Sequence, residues 1–316
     1  MMRSRALDEK TLPVWHRLWI YQGERFPLGR TALLLAVFTA ASISVSAHLA
    51  GRPLPHWTAF LVAFFVTLII FFQLRACDEV KDGEDDRRFR PERPIPRGLI
   101  RQRTIVLLGI AGVPLAMLAA GALDVRLLLP LGLVWGWLAL MTMEFFVPEW
   151  LRARPFLYLI SHMAIMPLID FFVTACEWLR YSWSPPPALA LFLGLSFVNG
   201  CVLEIGRKLY APENERARVE TYSGLMGVQR AALAWTGCAL AAYALLVAVG
   251  VAVGAPLVVA GAGATGLAAL GFTALRYAQN PTAARQKSVD AMAGIWVLVC
   301  YASAGFAPLL AGGGYA

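Results

Sequence analysis

Residues 57–98 read WTAFLVAFFVTLIIFFQLRACDEVKDGEDDRRFRPERPIPRG, and the abrupt change of character partway along them decides the fold. From Trp57 to Leu74 no ionisable side chain occurs, and a helix needs about 20 such apolar residues to cross the hydrocarbon core of a bilayer. At Arg75 the chain becomes densely charged, as a helix does on leaving the membrane. The same alternation recurs on both sides of this stretch. Apolar segments cover approximately 31–50, 57–74, 104–123, 127–147, 155–176, 187–203, 231–254, 256–275 and 288–311, nine in all. The composition agrees: 59% of residues are hydrophobic and 15% charged, with a mean hydropathy of +0.61, whereas soluble domains are about one quarter charged. Backbone at membrane depth must satisfy its own hydrogen bonds, so the expected fold is all-α, a polytopic membrane protein with a single helical bundle over 31–312. A polar N-terminal segment, 1–30, precedes it. That segment has no apolar core followed by a small-residue cleavage site, so a removable signal peptide is not expected.

The 28 lysines and arginines and the formal net charge of +8 would suggest nucleic acid in a soluble chain. Here they sort by membrane side, and no nucleic-acid partner is expected. With the N-terminus inside, Arg3, Arg5, Lys10, Arg17, Arg25 and Arg30 are cytoplasmic, and so are the basic residues of 75–103 and 204–230. Only Arg52, Arg126 and Arg180 fall outside. This is the positive-inside pattern, and nine spans then place the Gly-rich C-terminus on the outer side, most simply of the cell (inner) membrane. The five cysteines are widely spaced, without a CxxC pair or Cys/His cluster, so neither a zinc site nor a disulfide framework is expected.

The two longest polar excursions, 75–103 and 204–230, lie on the same predicted side, where loops on a rigid scaffold carry chemistry. Continuing the second helix beyond Arg75 places Asp78, Asp82 and Asp86 on one face at i, i+4 and i+8, bordered by Glu79. Carboxylates gathered in this way repel one another unless a cation neutralises them. Mg²⁺ fits the requirement, since it takes oxygen ligands and is commonly shared between one or two carboxylates and substrate phosphates. Lys81, Arg87, Arg88, Arg90, Arg93 and Arg97 stand close enough in sequence to grip the remaining phosphate oxygens.

This arrangement resembles the first signature of the UbiA superfamily of intramembrane prenyltransferases, NDxxDxxxD followed at a short distance by an RPxPxG-like turn. Asp78 stands at the Asn and Glu79 at the next Asp; Asp82 and Asp86 match the remaining acids, and Arg93-Pro94-Ile95-Pro96-Arg97-Gly98 supplies the turn. The nine-span, N-inside plan is also similar. The resemblance implies Mg²⁺-dependent transfer of a prenyl group from an isoprenyl diphosphate to an aromatic or other lipophilic acceptor within the lipid bilayer. Asp78, Glu79, Asp82 and Asp86 would be the catalytic, metal-holding acids. Lys81, Arg93, Arg97, Arg207 and Lys208 would bind diphosphate.

The superfamily's second acidic signature, a DxxxD after the sixth span often preceded by Lys, is altered here. In EIGRKLYAPENERARVETYSGLMG, Arg207 aligns with the Lys, Lys208 with a position where an acid often stands, Ala211 with the first acid and Glu215 with the second. Two readings follow. Glu204 with Arg207 and Lys208 has the spacing of a local ion pair; alternatively, the two cations face the first cluster and bind diphosphate in place of one Mg²⁺, with Glu215 completing a reduced metal site.

Ionisable residues within spans usually face the bundle interior or a cavity. Glu144 near the inner end of the fourth span, and His162 and Asp170 on one face of the fifth, are the candidates for an acceptor pocket. A membrane terpene cyclase, which needs the diphosphate alone, would use the same residues. A cation transporter would need its acids near the midplane, and a non-catalytic membrane module would need none of them.

Overall fold

The computed structural model describes residues 9, 11–216 and 220–310. Arg3, Arg5, Lys10, Arg218 and the Gly-rich C-terminus lie outside the described residues. All regular structure among those described is helical, and nine helices are long and apolar enough to cross a membrane. Numbered in chain order, spans 1 to 9 are Leu28–Leu49, Trp57–Lys81, Gln102–Leu123, Val125–Thr142, Pro155–Trp178, Leu189–Arg207, Val228–Ala252, Pro256–Gln279 and Ala283–Leu310.

Several ends move relative to hydropathy. Span 2 continues to Lys81 before the chain kinks at Asp82 and restarts as the short helix Gly83–Phe89. Span 4 stops at Thr142 rather than Val147. Span 9 begins several residues before Ser288. Charged helix ends that stand clear of the bilayer are invisible to a hydropathy window, because hydrogen bonding within a helix does not require apolar side chains.

Each span packs on its neighbour in sequence, and span 9 returns against span 1 to close the bundle. Span 5 touches spans 1, 2, 4 and 6 and so lies inside it. Lipid offers no hydrophobic drive for helices to associate, and close approach over small residues supplies contact instead. Gly305 illustrates this: a Cβ there would sit 2.6 Å from the Ala41 backbone, so spans 9 and 1 meet at a distance only glycine permits. Lipid-facing positions such as Leu33, Leu118 and Leu257 remain exposed in the isolated chain.

Two polar devices fix helix positions. At one end Arg52 grips Glu177 with two bonds of 2.7 and 3.0 Å, while Ser46 donates to the same carboxylate at 2.6 Å. At the other end an amphipathic helix, Val14–Arg25, lies against the segment after span 2. Its Tyr21 is buried with Leu99, Ile100 and Ile105, and Glu24 binds Arg97 through two bonds of 2.7 Å. This is the end at which both long charged segments emerge.

Candidate active site

The two charged segments meet over a cavity of about 430 Å³ at that end of the bundle. Asp82, Asp85 and Arg90 reach it from the segment after span 2, and Lys208, Tyr210 and Glu220 from the segment after span 6. Between them stand Glu144, Arg152 and Tyr158. Arg216 ties the two segments together, donating to the Phe89 carbonyl at 3.1 Å and pairing with Glu92 at 3.2 Å.

The four acids of the first segment do not act as one stripe. Successive residues on a helix point about 100° apart, so Glu79 turns away from Asp78. It is 3% exposed and bound by Arg25 at 2.7 Å and by the Tyr21 hydroxyl at 3.2 Å, under the N-terminal helix. Asp86 is 2% exposed and holds Arg93 through bonds of 2.7 and 2.6 Å, with Arg90 at 3.3 Å. Asp78 pairs with Arg75 at 3.3 Å. Asp82 is the acid of the four that forms no ion pair among the described residues, Arg90 acting on it only from a distance, and it lines the cavity. Burial pushes its carboxyl above the usual carboxylate range, with like charge from Asp78 and Asp86 adding to the effect and Lys81 opposing it. A site built this way favours a cation.

No three His, Cys, Asp or Glu side chains converge to cage a metal among the described residues. The donor set nevertheless suits Mg²⁺, which keeps several waters and needs only one or two protein carboxylates when substrate phosphates share it. Asp82, with Asp78 one helical turn earlier and Asp85 on the same wall, offers hard oxygens and nothing softer. The second segment offers less. Glu215 accepts from the hydroxyls of Thr221 at 2.7 Å and Ser223 at 2.8 Å and does not line the cavity.

Among the expected diphosphate binders, Lys208 lines the cavity and also forms the local ion pair with Glu204 at 2.9 Å. Burial works to lower the Lys208 ammonium, but Glu204, with Tyr158 adding to it, holds it above its ordinary value. Lys81 points to an adjoining cavity of about 20 Å³ that it shares with Asp78, Cys77 and His162. Its Nζ donates to the Tyr158 hydroxyl at 2.6 Å and lies 3.4 Å from His162 Nε2. Arg207 is exposed and outside both cavities. Arg93 reaches the site only through Asp86, and Arg97 is taken up by Glu9 at 3.0 Å and by Glu24.

The three acceptor-pocket candidates separate. Glu144 lines the main cavity and His162 the small one. Asp170 lines neither; it is fully buried between Ser42 and Tyr301. Sequence reasoning missed Tyr158, whose ring stacks on His162 at 3.9 Å and stands 5.1 Å from Lys81 and 6.0 Å from Lys208. Its position four residues before His162, on the same face of span 5, was the available signal.

Because Glu79 anchors the N-terminal helix, Glu79→Gln should release it. Cleavage by trypsin after Arg25 is expected to accelerate by about tenfold, the effect of losing roughly 1–3 kcal/mol of charge-assisted bonding; unchanged proteolysis would show that the helix docks by other means.

A family model of the UbiA prenyltransferase family matches residues 35–298. No curated protein matches the chain. Among solved structures, the apo form of a UbiA homologue from Aeropyrum pernix K1 is similar, with a TM-score of 0.68 at 15% identity over 87% of this chain and 97% of the other. A structure from work on digeranylgeranylglyceryl phosphate synthase in membranes is similar at a TM-score of 0.63 and 12% identity, over 93% of this chain and 99% of the other. At these identities the likeness extends to the fold alone.

Proposed function

The chain belongs to the UbiA prenyltransferase family, and on that premise we propose that it transfers a prenyl group from an isoprenyl diphosphate to a lipophilic acceptor within the membrane. The supporting observation is the cavity at the charged end of the bundle, with Asp82 and Asp85 on one wall and Lys208 on another. An anionic head group entering there meets cations from two segments, while its apolar tail remains beside the spans.

In this reading Asp82 holds Mg²⁺ together with Asp78 or Asp85, and Asp86 fixes Arg93 and Arg90 behind them. Bound Mg²⁺ supplies positive charge where the departing diphosphate develops negative charge. Lys208 and Arg90 bind phosphate oxygens from the protein side. Lys208 thus takes the place of an acid of the usual second motif, and Arg207 adds charge at the rim. Tyr158, held by Lys81 and His162, lines the cavity, and its electron-rich ring would favour a cationic carbon that comes over it. His162 borders the acceptor. Glu79 and Arg97 act on the site by docking the N-terminal helix, and Glu215 orders the second segment.

In this reading the charged end faces the cytoplasm, with the N-terminus inside and the C-terminus outside; the excess of basic residues at that end supports it. A cysteine introduced at exposed Arg88 is expected to react with a membrane-impermeant maleimide only in inverted vesicles; labelling of intact cells would reverse the orientation.

The decisive experiment supplies membranes containing the protein with radiolabelled ten-, fifteen- and twenty-carbon isoprenyl diphosphates, with Mg²⁺ or with EDTA. Mg²⁺-dependent diphosphate release with label in a prenylated lipid is expected. A cyclic hydrocarbon formed without acceptor would identify a cyclase instead, and no release from any chain length would refute prenyl transfer.

A further inference from the structure

Span 4 ends in a turn of unusual backbone. Glu144, Phe145 and Phe146 have φ of 46°, 54° and 62° in succession. L-residues other than Gly, Asn and Asp rarely enter this left-handed region, and then singly. Such strain persists only where the surroundings impose it. Here Phe145 packs edge-on against Trp137 at 5.3 Å and His162 at 6.2 Å, and Arg152 donates to Glu144 Oε1 from two nitrogens, at 3.3 and 3.0 Å.

The turn has one chemical consequence. A right-handed continuation of span 4 would place Glu144 on the apolar stripe of Trp137 and Leu140. The left-handed turn brings its carboxylate into the main cavity instead, although the residue is only 4% exposed. There it meets Arg152, which lines the same cavity. Each cation on the cavity wall is then matched to a carboxylate: Arg90 to Asp86, Lys208 to Glu204 and Arg152 to Glu144. Arg90 belongs to the first charged segment and Lys208 to the end of span 6, and the proposed reaction assigns both to the diphosphate. Arg152 is the cation left for an acceptor, and Glu144 neutralises it. An acceptor with its own carboxylate would have to displace a buried, doubly bonded glutamate. A neutral hydroxyl finds in Glu144 an oxygen ready to accept its hydrogen bond.

We propose that Glu144, fixed by this strained turn, determines acceptor class: it cancels Arg152, rejects carboxylate-bearing acceptors and orients an uncharged, hydroxyl-bearing one. The proposal rests on the prenyl-transfer reading for the word acceptor, but its test reads binding rather than turnover. Two probes of nearly the same shape, para-hydroxyphenylacetamide and para-hydroxyphenylacetate, differ in charge. Equilibrium dialysis against the full-length protein in nanodiscs should show the wild type binding the amide at least about tenfold more tightly, a preference of about 1.4 kcal/mol.

Glu144→Gln should shift that ratio at least about tenfold toward the carboxylate by freeing Arg152, and adding Arg152→Gln should remove the gain. Glu144→Asp, which keeps the charge, should retain the wild-type preference. The proposal is overturned if the wild type binds no amide or shows no preference, if Glu144→Gln leaves the ratio unchanged, or if Glu144→Asp and Glu144→Gln shift it equally, as a purely structural role would. Failure of prenyl transfer itself would appear separately, as no diphosphate release from any chain length.

Discussion

Asp82→Asn is expected to reduce turnover of an isoprenyl diphosphate by at least about a hundredfold, the usual scale for losing one preorganised charge at a developing anion, while leaving the melting temperature nearly unchanged. The expectation comes from how the four acids divide. Asp78, Glu79 and Asp86 are each paired with an arginine, at 3.3, 2.7 and 2.6 Å respectively. Asp82 lines the cavity with no such partner among the described residues. Asn preserves its shape and removes only the charge that would hold Mg²⁺. Asp82 is partly buried but has no ion pair to lose, so an isosteric replacement should cost little stability.

Asp86→Asn makes the contrast. It leaves Arg93 and Arg90 beside a buried neutral group, and breaking a buried pair costs about 3–5 kcal/mol, reduced here because both arginines are partly exposed. Activity and melting temperature should therefore fall together in Asp86→Asn but not in Asp82→Asn. Mg²⁺ titrations of turnover alongside thermal melts would separate the two, and full turnover in Asp82→Asn at ordinary Mg²⁺ would remove that acid from the metal site.

The division explains what was legible in the sequence. Hydropathy located nine spans because each had to be long and apolar by itself, and the charge pattern identified the end where the two segments meet. Which acids face inward was not legible. The orientation of Glu79 is fixed by Tyr21 and Arg25, more than fifty positions earlier, and such a contact leaves no local periodicity. The same limit applies to Arg97, whose partners Glu9 and Glu24 belong to the N-terminal segment. For Lys208 the sequence offered a local ion pair or a diphosphate contact; the fold forms the pair with Glu204 and sets the same side chain on the cavity wall. The turn at Glu144 was hidden for a different reason: nothing in Met-Glu-Phe-Phe favours left-handed backbone, so local propensity argued for more helix, and packing overrode it.

Asp170 carries the last prediction, because sequence spacing assigned it to an acceptor pocket and its surroundings suggest otherwise. Its carboxyl accepts from Ser42 Oγ at 2.7 Å and from the Tyr301 hydroxyl, which is itself 3.1 Å from Ser196 Oγ. Spans 1, 5, 6 and 9 are thereby joined at one buried point. Asp170→Ala would take from Ser42 and Tyr301 their shared buried acceptor, leaving Ser42 with the Phe38 carbonyl and Tyr301 with Ser196. An unsatisfied buried group costs about 1–3 kcal/mol, whereas single hydrogen bonds between membrane helices average about 0.6, so a loss of roughly 2 kcal/mol is expected. At about 2–4 °C per kcal/mol the melting temperature should fall by several degrees. The acceptor KM of the remaining folded protein should not change, because Asp170 borders neither cavity. His162→Ala is expected to behave in the opposite way, raising acceptor KM with a smaller effect on melting. A raised acceptor KM with unaltered melting in Asp170→Ala would return Asp170 to the acceptor pocket.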